Sequence, residues 1–187
     1  MAIIPFILAS ASPRRKALLE QVGIVPEAIV PANTDETPHP HELPKDYAQR
    51  VALEKARLIA GSHPHMAILA ADTVVACGRR ILPKAEDEET ARRCLTLLSG
   101  RRHRVLTAVC LLEPNDKISA RLVETMVKFR RLTASDIDWY IRTNEWQGKA
   151  GGYAIQGAAQ AFIPAINGSY SSVVGLPLQQ VMALLTR

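Results

Sequence analysis

Three cations in succession, Arg14, Arg15 and Lys16, follow the Ser-rich turn Ala9-Ser10-Ala11-Ser12-Pro13 near the start of the chain. Guanidinium and ammonium groups at that spacing can surround a phosphate. The preceding residues 3–8 read as a short buried strand, and Ala17, Leu18, Leu19 and Val22 then fall at helical spacing up to Gly23. Ser12 is placed as an N-cap and Pro13 as the first helical residue. A helix N-terminus favours anions, so cations added there need an anion to offset them. The stretch is therefore either a phosphate cradle or a solvated basic turn.

Acids supply a second kind of chemistry. Residues 66–77 are almost continuously apolar, as in a buried strand, yet they carry Asp72-Thr73. An isolated carboxylate is costly to bury, so Asp72 must be paired or must face a pocket. A structural ion pair meets that condition, and so does an acid/base group, for which Asp72 is the best candidate in the chain. Glu36 follows Thr34-Asp35 in a loop over residues 31–44, and loops of this length are commonly functional or mobile. A helix is predicted over residues 45–60, stopped by Gly61, with Ala48, Val51, Ala52, Leu58 and Ile59 as its apolar stripe. Lys55 falls inside that stripe. It either snorkels past the edge of the core or aims into a cleft to meet an acid or a phosphate. Gly148, Gly151, Gly152 and Gly157 enclose Lys149, Tyr153 and Gln156, which suits either close backbone approach to a ligand or a plain flexible loop. His39, His41, His63 and His65 have no Cys or third His nearby, so they read as loop residues and not as metal ligands.

The remaining elements bound the fold. Residues 26–30 read as a returning strand, and Gly78-Arg79 as the turn of a hairpin whose second strand, Arg80-Ile81-Leu82, leads to Lys84. Residues 86–98 form a helix with Glu88–Arg92 and Glu89–Arg93 at i,i+4. Two long strands, 105–112 and 118–129, follow, then a helix opened by Thr133 with Asp136 in a capping-box position. A strand over 162–166, a turn over 167–169 and a last helix after Gly175-Leu176-Pro177 complete the chain. With no internal repeat or linker in the 187 residues, this order indicates one α/β unit built on a mixed, partly antiparallel sheet. No apolar stretch is long enough to cross a membrane, and the N-terminus lacks the pattern of a secretion signal. Cys77, Cys94 and Cys110 form no C-x-x-C pair and read as reduced thiols of a cytoplasmic protein. The net charge of +5 is scattered among few aromatics, so no stable nucleic-acid complex is expected.

Taken together, these stretches resemble the Maf family of nucleoside triphosphate pyrophosphatases over nearly the whole chain. The resemblance rests on residues 10–15, Asp35-Glu36, Glu54-Lys55-Ala56, Ala71-Asp72-Thr73, Lys84, residues 149–157, residues 166–170 and residues 174–177, in that order and spacing. It implies an elongated, two-lobed α/β fold related to the inosine triphosphate pyrophosphatases, often dimeric, with a central cleft. The implied reaction is hydrolysis of a nucleoside triphosphate to the monophosphate and pyrophosphate with a divalent cation, Mg²⁺ or Mn²⁺. Asp72 matches the family's general base, and Glu36, Lys55 and Lys84 match its other charged cleft positions. Arg14, Thr73 and Gln156 match positions that select the base in the branch acting on dTTP and UTP. The branch similar to 7-methyl-GTP pyrophosphatases usually has an aromatic residue at the position of Arg14 and an acid at that of Gln156, and this sequence has neither. Pro83 and Ala85 flank Lys84 where the family commonly has Gly and Pro, Ala159 replaces a frequent glycine, and Ser172 a frequent asparagine. The expected arrangement lays the triphosphate along Ser12-Pro13-Arg14-Arg15, with Arg15, Lys55 and Lys84 around its oxygens. Glu36 and Asp72 are the expected metal ligands, and Gln156 offers the donor and acceptor that suit an imide edge. The alternative is a non-catalytic regulator of cell division that binds nucleotide or nucleic acid through the same basic cleft.

Overall fold

In a computed structural model that describes residues 3–186, the apolar run carrying Asp72 is a buried strand, Ala67–Cys77, in which only Thr73 and Cys77 are partly exposed. It lies inside a seven-stranded sheet built in the following chain order. The first elements are β1 (Phe6–Ala9), α1 (Pro13–Gln21), β2 (Ala28–Ile29) and α2 (Pro44–Ser62). The central strand, β3 (Ala67–Cys77), is followed by β4 (Arg80–Leu82), β5 (Lys84–Ala85), α3 (Glu88–Leu98), β6 (Arg102–Leu112) and β7 (Ile118–Lys128). The last are α4 (Ala134–Ile141), β8 (Lys149–Ala150), a 3₁₀ turn (Ala158–Phe162), β9 (Ala165–Asn167), α5 (Tyr170–Val174) and α6 (Leu178–Leu185).

The strands run β2-β1-β3-β6-β7-β9, with β4 also on β3, while β5 and β8 form a separate pair. The β1 strand is parallel to β2 and β3, and the remaining pairings are antiparallel. This is the mixed α/β sheet flanked by helices that the alternating pattern predicts. Side chains of β3 separate by parity, as the pleat requires. Ile68, Ala70, Val74 and Ala76 pack with Val51, Ala52, Ala56 and Ile59 of α2. Leu69, Ala71 and Val75 join the opposite core with Leu95 and Leu98 of α3 and Leu184 and Leu185 of α6.

One edge of β3 is interrupted. β6 covers its other edge from Ile68 to Ala76. On the free edge β1 ends at the Ala9–Ala70 pair, and β4 begins at the Val75–Leu82 pair. Residues 71–74 have no strand partner on that side, and Asp72-Thr73 sits in the opening.

Several expectations change in detail. Gly61 lies inside α2, which runs one residue further to Ser62. Gly61 is exposed and has a negative φ, so nothing in its backbone forces a stop. Leu58 stands off the apolar stripe and is 49% exposed, while Ala56 and Lys55 complete the buried face. Ser12 occupies the N-cap position of α1, but its side chain does not cap; its N–H donates to Ser10 Oγ at 3.1 Å. The strand predicted from Phe162 begins at Ala165, since Phe162 closes the 3₁₀ turn, and residues 170–174 form a helix where none is predicted. The Thr133–Asp136 capping box forms as its spacing requires. Among the described residues no helix is long and apolar enough to cross a membrane, and Cys77, Cys94 and Cys110 are free thiols.

Candidate active site

Asp72 projects from β3 toward α2, where Lys55 reaches it from the middle of the helix. Lys55 Nζ lies 2.8 Å from Asp72 Oδ1 and 2.7 Å from Glu36 Oε1. Lys55 and Asp72 are only 6% and 4% exposed, so Lys55 does not snorkel to solvent but meets an acid, and both line the cleft. The other carboxylate oxygen of Glu36 is bonded by Lys84 Nζ. Burial alone would raise the Glu36 carboxyl, but hydrogen bonds from Lys55 and Lys84 outweigh it and hold the group below the usual carboxylate range.

The loop that carries Glu36 is pinned to α2. Tyr47 Oη donates to the Glu36 carbonyl at 2.8 Å. Arg50 forks onto Glu42 at 2.7 and 2.8 Å and donates to the Thr37 carbonyl at 3.2 Å. Bidentate pairs of this kind fix geometry as well as charge.

Basic groups from α1 close the opposite wall. Arg15 is buried, and it spends its donors on neutral oxygens: the Gly175 carbonyl at 2.8 Å, Ser10 Oγ at 3.2 Å and Thr73 Oγ1 at 3.5 Å. Burial pushes its pKa down, and the fields of Asp72 and Glu36 work against that. Arg14 is lowered by burial and then by Arg15, and its Nε is buried without a hydrogen-bond partner. Lys149 is lowered by burial and then by Arg14. This wall carries more positive charge than its own neighbours neutralise, which is the electrostatic condition for holding an anion.

The Gly-rich stretch delivers Lys149 through a short ladder with the segment of Lys84. Lys84 pairs with Ala150 and Ala85 with Lys149, while Gly151 N–H donates to the Pro83 carbonyl at 2.9 Å. At Gly151 φ is +68°, and a Cβ there would stand 2.9 Å from Val75, so the close approach to β3 needs glycine.

These parts enclose a cleft of about 510 Å³. Ser12, Arg14, Arg15, Glu36, Lys55, Asp72, Thr73, Lys84 and Gln156 all line it, so the nine residues expected in the site are brought to one place, whereas Lys16, the third cation after the Ser-rich turn, is exposed and pairs with Glu20. A second cavity of about 430 Å³ opens on the α2 side and shares Glu36, Asp72, Thr73 and Lys84 with the first. Ser10, Lys149 and the wall from Val173 to Gly175 also face the cleft and were not among the predicted site residues. For Lys149 a signal exists in its glycine neighbours; residues 174–177 belong to the stretches that carry the resemblance, but no local pattern brings the wall at 173–175 to the cleft, because its position depends on long-range contacts.

Glu36 and Asp72 converge on a single cation, the Lys55 ammonium. Among the described residues no cluster of three or more His, Cys, Asp or Glu side chains is placed to hold a metal. A hard divalent cation such as Mg²⁺ needs only one or two carboxylates when phosphate and water fill its other positions. The donor set therefore fits an ion shared with a phosphorylated ligand, and not one caged by protein alone.

The family model described as Maf-like protein matches residues 5–187. Among similar proteins, the dTTP/UTP pyrophosphatase of Rhodospirillum rubrum is 57% identical over 97% of this chain and 86% of its own length. That of Gluconobacter oxydans is 60% identical over 96% of this chain and 84% of its own. Of the solved structures, a HAM1 protein from Coxiella burnetii matches with a TM-score of 0.52 over 97% of this chain and 98% of that one, at 16% identity, a likeness of fold. With the match running nearly end to end and relatives more than half identical, the chain belongs to the Maf-like protein family.

Proposed function

We propose that the protein hydrolyses nucleoside triphosphates to the monophosphate and pyrophosphate, acting on dTTP, UTP and modified pyrimidine nucleotides. The observation that carries this reading is the pair of carboxylates, Asp72 and Glu36, facing a cleft whose other walls hold excess positive charge. The names of the relatives support the same reaction and the same bases. In this reading the chain forms one unit, with the cleft between two lobes. Because nucleoside triphosphates are a cytoplasmic pool, a cytoplasmic location goes with it.

Arg15, Lys55 and Lys84 surround the triphosphate oxygens and offset the charge that builds on the leaving pyrophosphate. Ser12 and the start of α1 orient the phosphates. Lys55 bonds Asp72 Oδ1, which leaves Oδ2 to take a proton from the attacking water. Glu36 and Asp72 would hold the divalent cation, Mg²⁺ or Mn²⁺; bound there, such an ion supplies positive charge to phosphate oxygens and helps acidify water. Arg14, Thr73 and Gln156 meet the base, with the Gln156 amide supplying both a donor and an acceptor. A regulator that only binds is not favoured, since carboxylates aimed into an anion site weaken the binding they would serve.

The test is a panel of nucleoside triphosphates assayed for products with and without Mg²⁺. Release of pyrophosphate, not orthophosphate, with dTTP and UTP leading is the expected result. Binding without turnover across the panel would overturn the reading.

A further inference from the structure

Glu36 sits on a stretch with no regular structure of its own: residues 30–43, between β2 and α2, hold no helix or strand. Its carboxylate is bonded by Lys55 and Lys84. In the proposed reaction both lysines turn to triphosphate oxygens, so their bonds to Glu36 cannot be what keeps the loop in place during turnover. A second set of anchors lies outside the cleft, and the proposed chemistry leaves it unused.

Among the described residues, the other hydrogen bonds that tie residues 36–42 to the rest of the fold run to Tyr47 and Arg50 of α2. All three nitrogens of the Arg50 guanidinium are engaged. Nε and Nη2 fork onto Glu42, Nη2 also donates to the Thr37 carbonyl, and Nη1 donates to Glu54 at 3.1 Å. The guanidinium lies over the Tyr47 ring, 5.5 Å from its centroid, and the Tyr47 hydroxyl holds the Glu36 carbonyl. Glu42 in turn accepts from the His39 N–H at 2.9 Å. The Glu42 and Arg50 side chains are 9% and 20% exposed, so water competes little for the fork. Arg50 thus grips the loop at both ends of its bend and ties it to the helix that carries Lys55. Arg50, Glu42 and Glu54 line neither cavity.

From this geometry we infer that Arg50 is a positioning residue for the proposed reaction. Through Glu42, Thr37 and Tyr47 it keeps the Glu36 carboxylate aimed into the cleft while Lys55 and Lys84 are occupied with phosphate. The inference rests on reading the cleft as a nucleoside triphosphate site, and it adds a residue that touches neither the substrate nor the reacting atoms. Lysine cannot take this place, because one ammonium does not reproduce a planar fork that serves a carboxylate and a carbonyl together.

The experiment compares Arg50→Lys, Glu42→Gln and Glu54→Gln with the wild type in two measurements: amide hydrogen exchange without ligand, and steady-state pyrophosphate release from dTTP with Mg²⁺. In Arg50→Lys and Glu42→Gln the His39 amide should exchange about tenfold faster, the equivalent of one hydrogen bond, while amides in the middle of α2 keep the wild-type rate. In both, kcat should fall about tenfold to a hundredfold, the scale for losing a group that supports a functional carboxylate, with KM for dTTP within about threefold of the wild type. A merely structural role would speed the α2 amides along with the loop and would not split kcat from KM. Glu54→Gln removes the partner on the helix and leaves the grip on the loop, so both readouts stay at their wild-type values; the same losses in this variant would trace the effect to α2 and overturn the inference. Should Arg50→Lys fail to fold, Glu42→Gln, which leaves α2 untouched, decides the matter alone. Unchanged exchange at His39, or faster exchange with kcat within about twofold of the wild type, overturns the inference and leaves the proposed reaction intact. A wild type that releases no pyrophosphate from any nucleoside triphosphate contradicts the proposed reaction instead, and the exchange rates still decide whether Arg50 holds the loop.

Discussion

Lys55 bonds two acids at once, and the energetics of that arrangement explain why one lysine can matter to both stability and chemistry. Asp72 is too buried to be left alone, and Glu36 is drawn beside it by the same ammonium. Removing the shared cation leaves two carboxylates facing one another across a partly dry site. Lys55→Met should destabilise the protein by about 3 kcal/mol at pH 7, the scale for breaking a buried pair by deleting one partner. Urea unfolding measures this directly, and a loss under about 1 kcal/mol would mean the pair is solvated like a surface one. The sequence could place Lys55 on the buried stripe but could not say what it meets. Its partners lie 17 and 19 positions away in chain order, and only the packing of α2 on β3 brings them together.

At the level of elements, what was legible in the sequence had a local cause. The continuous apolar run over residues 66–77, the proline at the start of α1 and the Thr133–Asp136 capping box are each written within a few residues, and each forms. Within residues 158–174 only the strand is legible, and its start is displaced from Phe162 to Ala165, because a five-residue 3₁₀ turn, a three-residue strand and a five-residue helix are too short to show a period. Distant bonds hold them, among them Arg15 to the Gly175 carbonyl and Thr107 to the Ser172 carbonyl. His103 of β6 gives this scale a pH test. It is buried at 1% exposure against Phe129 and Tyr153, with Nε2 2.8 Å from Tyr153 Oη. Burial pushes its pKa down from 6.5 to about 4, so the native state keeps it neutral while the unfolded chain protonates it. Between those two values the unfolded state binds more protons, and stability must fall as the pH drops from about 6.5 to about 4. The loss should be of order 2 kcal/mol by pH 5. Urea unfolding at pH 7 and pH 5 should show this loss in the wild type and largely lose it in His103→Gln, which cannot titrate.

Across the whole molecule, the site exists because the sheet is interrupted. β1 and β4 share one edge of β3 without meeting, and the opening between them admits side chains from both faces of the strand. Asp72 enters from the α2 side and Thr73 from the other. The loop at Glu36, the first turn of α1, the Lys84–Lys149 ladder and the end of α5 then close around that opening. Positive groups from distant parts of the chain thus face a shared pair of acids, and under the proposed reaction the first hold phosphate while the second move a proton. The measurement that tests this most directly is pyrophosphate release from dTTP or UTP by Asp72→Asn, paired with nucleotide binding by the same variant. Asparagine keeps the shape and an acceptor for Lys55 but is a far weaker base. Turnover should fall about a thousandfold or more while binding stays within a few fold of the wild type. Turnover within a few fold of the wild type by the Asn variant would contradict the account.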